Sequence, residues 1–372
     1  MTLQERISAG FAAVGADIKA LQQSAGGSAL PADFFPVLVS PSKPCLTKTA
    51  AATLAVKAGT LVRVGSGYKS FTADTAVQMP ASMIAGEDYG VWVTPAGGVF
   101  AAANGKPSPY VLTPGQAGAV QIGGFHYGLV APGTTVAGGG FATTGVGMIW
   151  TQADVDKIAG INAFSIWDLA YRPKCDPRGM ARSEAGFWFD IYFCGTEHIT
   201  NGTSRYNTSV ASGTVLPKKP LIFGGNGATK YTTLTWYEAN EIAFSHGKRL
   251  LSYQEFTAAA YGVTEGQSLG GAASTIPATL RQPGYTSKSG CEQMTGNHCT
   301  WGTSASEAAG SAWIAGAGRG QTFGTPYGPF FGGSRDFTTY SGSRTGAWNR
   351  ATWYSYWNIG LRAACDHYQG AY

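Results

Sequence analysis

From Pro31 to Gly147 no apolar run lasts long before Gly or Pro cuts it. FFPVLVS, TLVRVGSG, YGVWVTPAGG, VFAAANGKPSP, AGAVQIGGFHYGLVAPG and TTVAGGG follow one another. Such punctuation leaves no room for long helices and suits short strands joined by turns. Alternation at Leu61-Val62-Arg63-Val64 and Gly90-Val91-Trp92-Val93-Thr94 marks two of the strands, with hairpins expected at the PAGG and NGK segments. The chain as a whole agrees. Gly 53 is about twice the usual share, and charged residues make up 13%, against about 25% in an average domain. The 31–147 region reads as small β modules acting as spacer. Its single histidine, His126, reads as structural.

The bulk properties remove several function classes. The net charge of +5 comes from scattered residues, so no basic face is available for nucleic acid. No apolar stretch is long enough to enter a membrane as a helix. The opening MTLQERISAG does not read as a secretory signal, so the six cysteines are expected to be reduced and mostly buried. Residues 3–24 carry a helical stripe of Leu3, Ile7, Phe11, Val14, Ile18 and Leu21, closed by Gly26, Gly27 and Pro31. A stripe this short needs a partner, which points to self-association or docking into a larger particle.

Composition shifts at Met148-Ile149-Trp150, where the main domain boundary is expected. A helix is expected over Thr151–Ile158. Two more fit Thr233–Gly262. The first puts Trp236, Ala239, Ile242 and Ala243 on one face and stops at Gly247. The second is capped by Ser252, with Glu255 completing a capping box. The stretch from Gly328 to His367 is rich in Tyr, Ser, Gly, Arg and Trp and lacks Lys, Glu, Gln and Met. Rigid aromatic rings beside small polar residues suit a binding surface; a packed meander of similar composition is the alternative.

Trp236, Glu238, Ala239, Gly247-Lys248-Arg249-Leu250, Glu255, Ala259 and Ala260 together resemble the formylglycine-generating-enzyme branch of the C-type lectin fold. Gly332-Gly333, Ser343-Arg344 and Ile359-Gly360-Leu361-Arg362 sit where that branch has its closing segments. Further blocks are similar to the variable proteins of diversity-generating retroelements, the major tropism determinant family of phage tail-fibre receptor-binding proteins. These are Trp167-Asp168-Leu169, Arg172-Pro173, Asp176-Pro177-Arg178-Gly179-Met180, Asp190-Ile191-Tyr192, Thr203-Ser204-Arg205-Tyr206, Ser341-Gly342-Ser343-Arg344 and Cys365-Asp366-His367.

The resemblance implies an α+β chain with a C-terminal C-type lectin domain over 151–372, preceded by β-rich spacer modules (26–150) and an N-terminal helix (1–25). It implies a virion protein, made in the host cytoplasm. This would be a tail-fibre homotrimer, attached to other tail or baseplate proteins and binding a host surface receptor, protein or glycan.

In these systems the adenines of template codons are randomised. An AAC codon so treated never yields Trp, Lys, Gln, Glu or Met, which fits the absence of the last four from 328–367 and makes its tryptophans scaffold. The resemblance thus implies varied, ligand-facing positions at Arg335, Asp336, Phe337, Thr339, Tyr340, Asn349, Arg350, Tyr354 and Tyr356, with Ser334 and Thr345 as weaker candidates. Tyr354 and Tyr356, read as a strand, share one face. Trp348, Trp353, Trp357, Arg344 and Arg362 are expected to be scaffold.

Catalysis is the rival reading. The oxidase branch uses a cysteine pair before its terminal strand, and Ser341–Arg362 holds no cysteine. Cys365 lies beyond that strand and reads as an inert core thiol. Cys291, His298 and Cys299 lie close together but do not make a four-ligand zinc site. No catalytic residue, metal or cofactor is expected. A purely structural tail component is the remaining alternative.

Overall fold

The computed structural model describes residues 43–142, 149–271, 278–315 and 320–368. The N-terminal helix expected over residues 1–25 lies outside these residues.

Short strands dominate the first part, as the turn signals require. Leu46–Ala50 (β1), Thr53–Val56 (β2) and Thr75–Ala76 (β5) form one antiparallel sheet, and Leu61–Val64 (β3) and Gly67–Ser70 (β4) form a hairpin. Asp88–Val93 (β6) pairs with both Val99–Ala103 (β7) and Val120–His126 (β8). The PAGG turn closes the β6–β7 hairpin. Asn104-Gly105-Lys106 instead opens the long connection to β8. Alternate β6 residues Val91 and Val93 reach the same core as Leu46, Leu54, Val56, Val62, Ile122 and Phe125. Each such side chain contributes about 1.5–3 kcal/mol relative to leaving it exposed.

The boundary expected near residue 150 falls inside this unit. The expected helix forms over Gln152–Ile158 (α1), with Thr151 and Asp154 as a capping box, and buries Val155 and Ile158. These pack with Trp150 and Phe141. Farther on, Ile161 and Ile166 join the core of the β sheets. Trp167–Asp168 (β9) then pairs with β8, Gly123 opposite Asp168. A Cβ at Gly123 would stand 2.3 Å from the Trp167 carbonyl oxygen, so only glycine admits this approach. Composition changed at residue 150 because a helix begins there. The sheet ends later, at Asp168.

His126 is structural, as expected, and joins the two halves. Its Nδ1 lies 3.1 Å from Asp88 Oδ1 and its Nε2 lies 3.0 Å from the Tyr192 hydroxyl. Asp88 also accepts from the Gly179 N–H at 3.0 Å. Arg205 makes a two-pronged contact with Glu87, and Lys106 pairs with Asp176.

The C-terminal unit has two sheets. The first runs Met180–Arg182 (β10), Trp188–Asp190 (β11), Ala363–Cys365 (β18), Arg249–Leu250 (β12). After His198–Asn201 (α2) comes the expected helix pair, Trp236–Ser245 (α3) and Tyr253–Ala259 (α4). Thr235–Glu238 and Ser252–Glu255 are their capping boxes. The second sheet runs Ser306–Ala315 (β14), Gln321–Phe331 (β15), Cys299–Trp301 (β13), Ile359–Leu361 (β17), with Gly346–Ala351 (β16) on β15.

Charged residues hold the middle of this unit. Lys248, from the Gly-Lys-Arg-Leu turn, places its ammonium 2.6 Å from Asp190 Oδ1 and 2.8 Å from Thr203 Oγ1. Burial works to lower the Lys248 pKa, but the Asp190 carboxylate overrides it and the net shift is upward. Arg249 makes two 2.6 Å bonds to Glu255. Arg362, expected as scaffold, is fully buried. Its guanidinium donates to the carbonyls of Ile191 (2.7 Å) and Glu292 and lies 4.1 Å from the Phe193 ring centre. Terminal-strand arginine, turn lysine and β11 aspartate therefore lock the two sheets at one point.

Candidate ligand-binding face

Two loops flank β16 at one end of the second sheet. The first, 332–345, leaves β15 through Gly332 and Gly333, at φ 92° and 75°. A Cβ on Gly333 would lie 2.4 Å from Ser341 Oγ, so a side chain here forces the loop open. The second, 352–358, joins β16 to β17. It is a turn segment, not the strand expected through Tyr354–Tyr356.

Inward-facing polar groups fix both backbones. Asn358, buried at the root of β17, donates to Ser334 Oγ (3.1 Å) and to Asp336 Oδ1 (3.1 Å), so one amide ties the two loops. Thr352 accepts the Trp236 N–H on its carbonyl and donates its own N–H to the Pro326 carbonyl, both at 3.0 Å. Ser355 Oγ accepts from the Leu234 N–H at 2.9 Å, and Glu265 accepts from the Ser343 N–H at 2.9 Å. Burial and the nearby Arg335 charge hold the His298 pKa down at about 4, although a hydrogen bond to the Trp357 backbone opposes this.

Several expected positions fall elsewhere. Arg335 is not on the surface. Its residue is 2% exposed, with Nε bonded to Asn297 Oδ1 (2.9 Å) and Nη1 to the Gly270 carbonyl (2.6 Å). Ser334 is buried too, because its hydroxyl serves the Asn358 tie. The opposite correction applies to two expected scaffold residues. Arg344 is exposed, and its carbonyl accepts from Tyr253 Oη. Trp348 is 44% exposed, since β16 is an edge strand and only one side of the indole meets Tyr253 and Phe331. Trp353 and Trp357 are half-buried.

The remaining candidates are exposed or half-buried, and three of them, Arg350, Tyr354 and Tyr356, touch one another. Asp336, Thr339, Tyr340, Asn349, Arg350 and Tyr356 are exposed, while Phe337, Thr345 and Tyr354 are half-buried. Tyr340 is 76% exposed. Thr338 beside it adopts φ 47°, which an L-residue rarely takes, at the tip of the first loop. The Tyr354 and Tyr356 rings stack at 5.8 Å even though their segment is no strand, and the Arg350 guanidinium lies 5.1 Å from the Tyr354 ring centre. Stacked aromatics with a cation above them form a rigid amphipathic platform. The anchors Thr352, Ser355 and Asn358 carried no sequence signal beyond being small polar residues in the right stretch, and Asn297 lies outside it.

Among the described residues no group of three or more His, Cys, Asp or Glu could hold a metal ion. Cys291 and Cys299 are separate, buried thiols whose pKa values burial pushes up. Among the described residues no helix is long and apolar enough to cross a membrane.

Comparison with known proteins agrees with this geometry. A sequence profile described as Mtd second domain matches residues 44–168, ending where β9 ends. The tail fiber receptor-binding protein of Bordetella phage BPP-1 is 39% identical over 333 residues, covering 86% of this chain and 81% of that protein. This chain belongs to the major tropism determinant family. The solved Major Tropism Determinant M1 and I1 variants superpose with TM-scores of 0.78 and 0.77, at 37% and 38% identity. In each case 89% of this chain and 85% of the other are covered. The major tropism determinant match extends across both halves, so the fold is α+β with a C-type lectin fold in the C-terminal unit.

Proposed function

We propose that this chain is a phage tail-fibre receptor-binding protein. Its receptor face is formed by Asp336, Phe337, Thr339, Tyr340, Asn349, Arg350, Tyr354 and Tyr356, with Trp348 and Arg344 added from the scaffold set. The observation that carries the reading is the division of labour in 332–358. Buried side chains hold the loop backbones, and the exposed ones other than Asp336, which also receives the Asn358 amide, take no part in that tie. Such a face can change its side chains without losing its shape. That is what diversification of template adenines would require.

The reading is of binding rather than catalysis. Residues 1–25 would provide trimerisation or attachment to other tail proteins, and the β unit would hold the lectin domain away from the particle. In the virion, several copies acting together would turn weak single contacts into firm adsorption through high effective concentration. Replacing Tyr354 and Tyr356 with Ala in the intact phage tests the binding claim: host adsorption falls, whereas unchanged adsorption assigns the chain a purely structural role. A near-copy of the last part of the gene, differing at adenines beside a reverse transcriptase gene, tests the diversification claim separately.

A further inference from the structure

Two of the six free cysteines meet across the ends of the C-terminal unit. Pro173 and His367 form an antiparallel bridge, flanked by bonds from Lys174 N to Asp366 O (3.0 Å) and from Tyr368 N to Arg172 O (2.7 Å). Carried two residues on, that register sets Cys175 opposite Cys365. Both cysteines border Gly247. A Cβ built there would lie 3.7 Å from Cys175 Cβ, and Cys365 Sγ lies 3.7 Å from the Gly247 carbonyl oxygen. They also share one apolar cluster with Met180, whose sulfur is 3.5 Å from Cys175 Sγ.

In the Pro173–His367 type of pairing, where the bonds flank the pair, opposed Cα atoms stand about 4.5 Å apart. A disulfide spans Cα distances of about 4.4–6.8 Å. We propose that Cys175 and Cys365 form a reversible disulfide that clamps the last strand of the lectin domain to its first segment.

The surroundings prepare the chemistry. The neighbouring Cys175 thiol, more than the opposing burial, lowers the Cys365 pKa; backbone N–H groups of Cys175 and Lys174 and the Lys248 ammonium add to it. Cys365 is buried while Cys175 is half-exposed, so a small oxidant reaches the pair from one side. With hydrogen peroxide the Cys365 thiolate attacks one oxygen, giving a sulfenic acid and releasing hydroxide, which takes up a proton as water. The Cys175 sulfur then displaces the sulfenic oxygen, forming the S–S bond and releasing a second water. Two thiols and one peroxide become one disulfide and two waters. The other four cysteines lack this arrangement: Cys45, Cys194, Cys291 and Cys299 are all buried.

The test uses the full reduced chain, titrated with one equivalent of hydrogen peroxide and mapped by mass spectrometry without reductant. The expected result is loss of two of the six titratable thiols, a cross-linked peptide joining Cys175 to Cys365, and reversal by dithiothreitol. Because the closed loop is long, thermal unfolding should rise by roughly 5–15 °C on oxidation. Cys365 is buried, so its replacement also tests folding; the half-exposed Cys175→Ser is the control and should show no rise. Six thiols remaining after oxidation, a cross-link to a different cysteine, or an unchanged melting temperature would each overturn the proposal.

Discussion

Arg362 and Arg350 are the same residue type used in opposite ways. Arg362 lies at the junction of two sheets with its guanidinium spent on backbone carbonyls and the Phe193 ring. Arg350 stands in water on an edge strand and touches little besides the Tyr354 ring. The first cannot change without leaving buried carbonyls unpaired. The second can become almost anything. The same contrast separates Asn358 from Asn349 and Ser334 from Thr339. What matters in this region is which way a side chain faces, since loops and edge strands mix frame and face within a few residues.

The largest effect should come from breaking the frame. Lys248→Ala leaves Asp190 buried without its partner, which should cost about 3–5 kcal/mol in denaturant unfolding; a loss under 1 kcal/mol would show that the ion pair does not hold the sheets.

Acid should weaken the same frame. His298 and His246 have pKa values depressed to about 4 and about 3, largely by burial. Groups lowered in the folded state favour it fully above their unfolded value near 6.5, and that stability is lost as pH falls through the folded values. For buried His298 the loss by pH 4 is on the order of 2 kcal/mol. In His298→Gln the slope between pH 6.5 and 4 should be shallower; an identical slope would remove His298 from the account.

Asn358→Ala cuts the tie between the loops and should cost about 1–3 kcal/mol. It should also make the amides of 334–340 exchange faster with solvent. Unaltered exchange there would mean the loops are held by something else. The smallest effect belongs to the face: Tyr340→Ala should shift unfolding by no more than about 0.5 kcal/mol.

Much of the frame was legible because it obeys periodic or local rules. The helix that begins at Trp236, the capping box at Ser252, the Gly-Lys-Arg-Leu turn and the terminal Ile-Gly-Leu-Arg strand all stand where the sequence puts them. The face was legible only as a stretch. Turn residues have no period, so nothing local says that Arg335 points in while Asp336 points out; the Asn297 and Gly270 oxygens that capture Arg335 lie 38 and 65 residues away. Trp348 read as scaffold because a randomised AAC codon cannot yield Trp, yet its strand β16 pairs only with β15 among the described strands. The long β14–β15 hairpin escaped notice because its strands are broken by glycine and register shifts. Residue 150 looked like a boundary, and the contact that moves it, β9 on β8, pairs residues 43 and 45 apart in the chain (167 − 124 and 168 − 123).

The separation of face from frame is tested most directly by changing the open positions together. A chain carrying Tyr340→Ala, Asn349→Ala, Arg350→Ala and Tyr356→Ala should unfold within a few degrees of the parent, while phage bearing it lose adsorption to the host by at least tenfold, about 1.4 kcal/mol of binding. Full adsorption with all four replaced, or a collapse of the melting temperature, would contradict it.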